Sequence, residues 1–183
     1  MGSIKIQKIC CIGAGYVGGP TMSVIADKCP DLEVRVVDIN KDRIDAWNDP
    51  DLNNLPIFEP GLEELIIRNV KQKRLNFSTD ASTSIRNSDI IFICVGTPTS
   101  KNSNKANLKY VYKVVSDIKK NLNKYKIIVT KSTVPVTTGD QIEKILASKN
   151  KIKFDVVSNP EFLREGEAIR DFMYPDRVVI GTN

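Results

Sequence analysis

The chain has 183 residues, of which 41% are hydrophobic and 27% charged, with a formal net charge of +5 and no histidine; this composition is typical of one globular domain. The lack of histidine excludes Ser-His-Asp and Cys-His triads and histidine-bound zinc, and the four cysteines have no metal-type spacing, so we expect no metal site. The lysines are scattered, and no apolar run approaches the roughly 20 residues of a membrane span, so we expect no nucleic-acid partner, no membrane association and a cytoplasmic location.

Short apolar runs alternate with helical patterns along the whole chain. The apolar runs predict strands that are covered on both faces, over residues 6–12, 32–38, 74–78, 89–95, 125–131, 154–158 and 177–181. Between them, the spacing of apolar residues predicts helices over residues 16–28, 41–48, 62–70, 81–86, 108–122 and 140–147. This alternation predicts an α/β fold of the Rossmann type, a doubly wound, mostly parallel sheet with helices on both faces.

A glycine-rich turn follows the first predicted strand. Gly13 permits a tight turn, Gly15 lets a pyrophosphate approach the backbone, and Gly18 lets the next helix pack closely on the strand. Asp38 ends the second predicted strand, about 20 positions after Gly18, where a carboxylate accepts hydrogen bonds from the adenosine ribose. A carboxylate there repels a 2'-phosphate, so the pattern predicts NAD rather than NADP. Arg43 either flanks the adenosine pocket or pairs with Asp38, or it accommodates such a phosphate.

Three further loops follow predicted strands at the edge where ligands bind in open α/β sheets. They read VGTPT at 95–99, KSTVPVTTG at 131–139 and SNPEFLREGEAIRDF at 158–172. Any one of them is explained by threonine and proline ending a strand and starting a helix. The presence of three such loops at one edge favours a binding site.

Several segments carry a resemblance to a known family. They are GAGYVGGPT, VVDIN, IFEPGL, GTPT, KSTVPV, SNPEFLREG and PDRVVIG, and they extend over essentially the whole chain. By these segments the chain resembles the UDP-glucose 6-dehydrogenases, more closely their animal-like branch, in the family of NAD-dependent nucleotide-sugar dehydrogenases. The resemblance covers that family's N-terminal, NAD-binding domain. One departure is Gly96, where animal members have asparagine, and we expect it to loosen one cofactor contact.

The resemblance implies roles for individual residues. Glu161 would serve as general acid or base, Thr133 would hold a water or hydroxyl, and a substrate site would include Glu161, Phe162, Leu163 and Arg164, the last three through their backbone. The NAD site would be lined by Gly13, Gly15, Tyr16, Val17, Gly18, Asp38, Arg43, Gly96, Thr97, Pro98, Thr99, Ser132, Thr133 and Glu165.

The implied reaction is the oxidation of UDP-glucose to UDP-glucuronate with two NAD. Alcohol oxidation needs a base and a hydride acceptor, and a glutamate can be the base without histidine. Without the resemblance, Glu161 and Glu165 would read as one exposed helix face that pairs with Arg164 or Arg170.

Two other functions stay open. Sugar recognition in the family lies mostly outside this domain, so the chain is also compatible with a GDP-mannose or UDP-N-acetylmannosamine dehydrogenase. A NAD-binding module without catalysis is the second. Dehydrogenases of the malate and hydroxyacyl-CoA types rely on a catalytic histidine, which this chain lacks.

The resemblance also predicts what this chain does not carry. Residues 1–183 would form the NAD-binding domain alone, without the family's central helix, its C-terminal UDP-binding domain or its catalytic cysteine. We therefore expect the isolated chain to bind NAD and to be inactive, and the full-length enzyme to be a homo-oligomer.

Overall fold

A computed structural model describes residues 5–100 and 105–182, which form six strands and seven α-helices. The strands are β1 (Lys8–Ile12), β2 (Glu33–Val37), β3 (Leu75–Ser78), β4 (Ile90–Ile93), β5 (Lys126–Thr130) and β6 (Phe154–Ser158). The helices are α1 (Gly18–Lys28), α2 (Lys41–Trp47), α3 (Leu62–Lys71), α4 (Ala81–Asn87), α5 (Lys109–Asn121), α6 (Thr138–Ala147) and α7 (Ala168–Met173), with a short 3-10 helix at Leu52–Asn54. None of these helices combines the length and the apolar character that crossing a bilayer requires.

The six strands form one sheet in the order β3-β2-β1-β4-β5-β6, and every neighbouring pair is parallel. The strand order reverses between β1 and β4, so the loops that follow these strands diverge and open a crevice at the carboxyl edge. The predicted α/β class and Rossmann-type topology are confirmed.

Side chains that alternate along each strand feed two separate cores. Cys11, on one face of β1, packs with α1, α2 and α3, through residues that include Met22 and Trp47. Cys10, on the other face, packs with α4, α5 and α6, through residues that include Val115 and Ile142. The sheet is therefore buried on both faces, which explains why its strands read as nearly continuous apolar runs.

The sequence prediction was wrong at the C-terminal end. Residues 178–180 are β-branched and apolar, but the segment 177–181 forms no strand of the sheet. Gly181 alone exchanges backbone hydrogen bonds with Ser158, antiparallel to β6, with both N···O distances at 2.8 Å. A strand needs a partner over several residues, and the chain meets β6 at one point only. Helix α7 was missed because six residues are too few to show a helical period.

Candidate functional site

The turn after β1 is shaped by two glycines. Gly13 has φ of 113°, and a Cβ placed on it would lie 2.5 Å from the carbonyl oxygen of Cys94. A Cβ on Gly18 would lie 1.9 Å from the carbonyl oxygen of Gly13. Any larger side chain at either position would displace backbone atoms, so the turn and the close packing of α1 both require glycine.

The outer side of the same turn is open. A Cβ on Gly15 would meet no heavy atom within 4 Å, and α1 begins three residues later, without an acidic residue in its first turn. The N-terminus of a helix carries a partial positive charge and unpaired N–H groups. The turn therefore offers an anionic group both space and a favourable electrostatic field.

Asp38 is tied to this turn. Its Oδ2 accepts a hydrogen bond from the backbone N–H of Ala14 at 2.9 Å, and its Oδ1 accepts one from that of Asn40 at 2.9 Å. Arg43 Nη1 lies 3.3 Å from Asp38 Oδ2, so the arginine pairs with the carboxylate, one of the interpretations that the sequence left open. A carboxylate has about four lone-pair positions, so Asp38 can accept a further hydrogen bond from a ligand hydroxyl.

Trp47 is bonded to this turn, and the sequence pattern assigned it no role. Its indole N–H donates to the carbonyl of Ala14 at 2.9 Å, and its ring stacks on Phe77 with 4.6 Å between centroids. A Cβ on Gly19 would lie 2.3 Å from this ring. The sequence gives only a weak signal for this contact, because no spacing rule places Trp47 next to a turn that lies 33 residues away along the chain.

The loops after β4 and β5 are bonded to each other. Thr97 Oγ1 donates to the carbonyl of Thr133 at 2.9 Å, and Ser132 Oγ donates to that of Val95 at 2.7 Å. Ser132 is buried, whereas Thr133 is exposed at the sheet edge. The remaining predicted residues of the first loop, Gly96, Pro98 and Thr99, are also exposed, and a Cβ on Gly96 would meet no atom within 4 Å.

Two predicted cofactor residues, Tyr16 and Val17, immediately precede α1. Val17 is half-buried and packs on the core. The Tyr16 hydroxyl is buried, and within the described residues it has no hydrogen-bond partner. Burial raises the pKa of Tyr16, and the charges of Glu59 and Glu165 raise it further, so both carboxylates lie near this phenol.

A cavity of about 560 Å³ opens beside the end of β6. All four predicted substrate residues line it: Glu161, Phe162, Leu163 and Arg164. Glu161 Oε2 accepts a hydrogen bond from Leu163 N–H at 2.6 Å. Arg164 is held by Asp171, which accepts from its backbone N–H and from its guanidinium at 2.7–3.0 Å. The backbone N–H groups of residues 163 and 164 therefore already donate, to Glu161 and to Asp171 of α7.

The alternative that placed Glu161 and Glu165 on a helix is wrong. The chain between Asn159 and Glu167 is irregular, and α7 begins only at Ala168. The arginines have other partners, because Arg164 pairs with Asp171 and Arg170 pairs with Glu167. Glu165 is exposed, whereas Glu161 is half-buried at the cavity wall.

Lys131 is a buried cation at the same cavity, and sequence reasoning gave it no role. It is 4% exposed, and its Nζ donates to Asn159 Oδ1 at 3.1 Å. Burial lowers the pKa of Lys131, and the charge of Glu161 opposes this shift. Its position at the start of KSTVPV was the available signal, but a lysine after a strand more often faces solvent.

The structure thus brings the predicted residues to one edge of the sheet, in two groups. The turn after β1, Asp38 and Arg43 form one group, beside β2. The loops after β4, β5 and β6 form the other, which reaches the cavity. Their individual roles in binding or catalysis stay predictions.

Comparison with known proteins gives one consistent result. The sequence model of the UDP-glucose/GDP-mannose dehydrogenase family, NAD binding domain, matches residues 7–183. UDP-glucose 6-dehydrogenase of Mus musculus is 50% identical over 184 residues, covering 97% of this chain. Among solved structures, UDP-glucose dehydrogenase of Pyrobaculum islandicum matches with a TM-score of 0.88 and 33% identity, over 98% of this chain and 41% of that one. GDP-mannose dehydrogenase of Pseudomonas aeruginosa matches with a TM-score of 0.84 and 35% identity, over 96% of this chain and 41% of that one.

The match covers one part of each relative. The chain spans 36% of the length of the Mus musculus protein.

Proposed function

The chain belongs to the UDP-glucose/GDP-mannose dehydrogenase family, whose NAD-binding domain it carries, and on this basis we propose that it serves an enzyme that oxidises UDP-glucose to UDP-glucuronate with two NAD. The substrate is proposed from the 50% identity with UDP-glucose 6-dehydrogenase. The observation that carries the proposed cofactor site is the bond from Ala14 N–H to Asp38, because it joins the glycine turn to the ribose-binding carboxylate.

The residues at the crevice fit a dinucleotide. The open backbone at Gly15 and the N-terminus of α1 would receive the pyrophosphate. Asp38 would accept from the adenosine ribose, with Arg43 beside it. Thr133 and Glu165 would stand near the nicotinamide. The rest of the cofactor site would be lined by Tyr16, Val17, Gly96, Thr97, Pro98, Thr99 and Ser132. When bound, NAD supplies the hydride acceptor for the alcohol carbon.

We assign the proton chemistry to Glu161. Its carboxylate lines the cavity and lies near the buried Lys131, and a carboxylate at this position can accept the proton of a substrate hydroxyl. Thr133 is exposed in the loop after β5, where its hydroxyl can hold a water or substrate hydroxyl. Phe162, Leu163 and Arg164 would contact the nucleotide sugar at the cavity wall.

A second substrate is supported by a specific observation. The GDP-mannose dehydrogenase of Pseudomonas aeruginosa is 35% identical over 96% of this chain, so this domain is compatible with GDP-mannose as well. The identity to UDP-glucose 6-dehydrogenase is higher, which favours UDP-glucose.

We further propose that the protein works in the cytoplasm and that the complete enzyme is a homo-oligomer without a nucleic-acid partner. The four cysteines are free, three of them buried, which agrees with a reducing compartment. The scattered lysines form no dense basic block in the sequence.

The test is a titration of this chain with NADH and, in parallel, with NADPH, followed by quenching of Trp47. This residue is the only tryptophan, and its indole bonds to the turn that would receive the pyrophosphate. We expect saturable NADH binding and NADPH binding weaker by about tenfold or more, because like charges brought together cost several kcal/mol. Failure to bind NADH, or equal binding of both, contradicts the proposed site.

A turnover assay separates a binding domain from a complete enzyme. We expect no NADH absorbance when this chain is mixed with NAD and UDP-glucose, because the resemblance places both the UDP-binding domain and the catalytic cysteine outside it. A steady rise in absorbance would refute the expectation that the isolated chain is inactive.

A further inference from the structure

Glu59 is a buried carboxylate outside the residues assigned so far. It is 3% exposed and lies just before α3, in the segment IFEPGL. Its Oε1 accepts a hydrogen bond from the backbone N–H of Gly166 at 2.9 Å, and its Oε2 accepts one from that of Ala168 at 2.9 Å. One side chain therefore joins two segments that lie more than 100 residues apart in sequence.

These two bonds hold the chain at the junction between the loop and α7. Gly166 has φ of 80°, a left-handed conformation that reverses the chain, and Ala168 begins α7. The irregular loop that carries Glu161 and Glu165 ends here. Arg164, in the same loop, is fixed by Asp171 of α7. Glu59 thus fixes the backbone immediately after Glu165, through an anchor outside the loop.

Glu59 also lies beside the glycine turn. Burial raises the pKa of Tyr16, whose hydroxyl lies just before α1, and the charges of Glu59 and Glu165 raise it further. The carboxylate therefore stands between the turn that would receive the pyrophosphate and the loop that would reach the nicotinamide. Burying an ionised carboxylate is unfavourable without strong partners, and two charge-assisted bonds to backbone N–H groups supply them.

We propose that Glu59 is a positioning residue that holds the loop of Glu161 and Glu165 against the nicotinamide half of the bound dinucleotide. It touches neither ligand nor reacting atoms; it acts through the backbone of Gly166 and Ala168. This inference rests on the proposed function, because it assumes that Glu165 faces the nicotinamide. It differs from a purely structural role in one respect: its loss weakens contacts to one half of the dinucleotide only.

The test substitutes Glu59→Gln in this chain and compares two ligands. Glutamine keeps the size but has one acceptor oxygen, so its NH₂ group faces one of the two backbone donors. Dissociation constants are measured for NADH and for ADP-ribose, which lacks the nicotinamide. We expect NADH binding to weaken about tenfold, as the loss of a charged hydrogen bond implies, with ADP-ribose binding unchanged within about twofold. Glu63→Gln, an exposed site in the first turn of α3, is the matched control and changes neither constant.

A second variant makes the result independent of how well Glu59→Gln folds. Gly166→Ala leaves Glu59 in place and meets no atom at its new Cβ, but alanine disfavours the left-handed backbone that the loop needs. We expect the same selective loss of NADH binding. Equal loss of both ligands, or no loss of NADH, in the folded variants overturns the proposal. Failure of the unmodified chain to bind NADH overturns the proposed function instead.

Discussion

A single carboxylate, Asp38, connects three features of the proposed adenosine site. It accepts from Ala14 in the glycine turn, it accepts from Asn40 at the start of α2, and it pairs with Arg43. These partners fix the carboxylate before any ligand arrives, so little ordering is needed on binding. The same charge that orients the turn would also reject a 2'-phosphate.

We expect Asp38→Asn to reduce NADH affinity about tenfold and to shrink the preference for NADH over NADPH. Asparagine carries no charge, so it leaves Arg43 free to bind a phosphate. The lost hydrogen bonds to a charged group contribute about 1.5–3 kcal/mol. Titration with both nucleotides measures the effect. Asp42→Asn, an exposed change of the same charge in α2, is the control. An unchanged NADH to NADPH ratio in the Asp38 variant would contradict its assignment.

The glycines of the turn differ in what they tolerate, which makes Gly18 a sharp test. We expect Gly18→Ala to destabilise the chain by several kcal/mol, because its Cβ would lie 1.9 Å from a backbone oxygen. Gly139→Ala, in the first turn of α6, meets no atom and should stabilise by about 0.5–1 kcal/mol. Urea unfolding of both variants provides the comparison, and similar stabilities would argue against the close packing of α1.

At the scale of elements, α2 links the second strand to the glycine turn. The Asn40 side chain caps the helix by accepting from Arg43 N–H at 3.1 Å, and Trp47 at its other end donates to Ala14. Seven residues are too few for a stable isolated helix, so the cap and the buried tryptophan hold it in place. The position of Arg43 therefore depends on both ends of α2.

We expect Asn40→Ala to destabilise the chain by about 1 kcal/mol, the usual effect of losing an N-cap. Fraying of the first turn also loosens Arg43, so NADH affinity should fall a few-fold. Asn40→Ser retains a capping oxygen and should recover most of the loss. The two variants are compared by thermal unfolding and by NADH titration. A serine variant no better than the alanine variant would exclude the cap as the cause.

At the scale of the whole molecule, burial of the sheet on both faces places the side chain of Lys126 in the interior. Lys126, in β5, is fully buried and donates to the carbonyls of Arg86 and Ser88. Burial, followed by the charge of Lys124, lowers the pKa of Lys126 from 10.5 to about 8. The folded protein therefore binds this proton more weakly than the unfolded chain does.

Protonated Lys126 destabilises the folded protein, and the full penalty applies below about pH 8. As the pH rises from about 8 towards 10.5, the folded protein loses this proton while the unfolded chain keeps it, so the penalty is relieved. Between pH 7 and 9.5 we expect the free energy of unfolding to rise by about 1–2 kcal/mol relative to a Lys126→Met variant. Lys153→Met, at an exposed site, should show no such change. Cys10, whose pKa burial raises to about 12, is common to all three proteins. A pH-independent difference would contradict the assignment.

The sequence by itself determined the fold and the first group of candidate site residues, which is the turn after β1 with Asp38 and Arg43. Strand and helix periodicity is local, so six of the seven predicted strands and all six predicted helices were found within a few residues of their expected bounds. The requirement for glycine at positions 13 and 18 and the placement of Asp38 follow from spacing along one βαβ unit, which the chain itself encodes.

The tertiary structure alone decided the contacts that join distant segments. Glu59 meets Gly166 and Ala168, Trp47 meets Ala14, and Lys131 meets Asn159, and no local pattern announces any of these pairs. It also decided against a strand at 177–181 and against a helix through Glu161 and Glu165, although both segments had suitable residues. The physical reason is the same throughout: propensity describes what a segment favours alone, whereas buried polar groups and strand pairing depend on which partners the fold brings within hydrogen-bond distance.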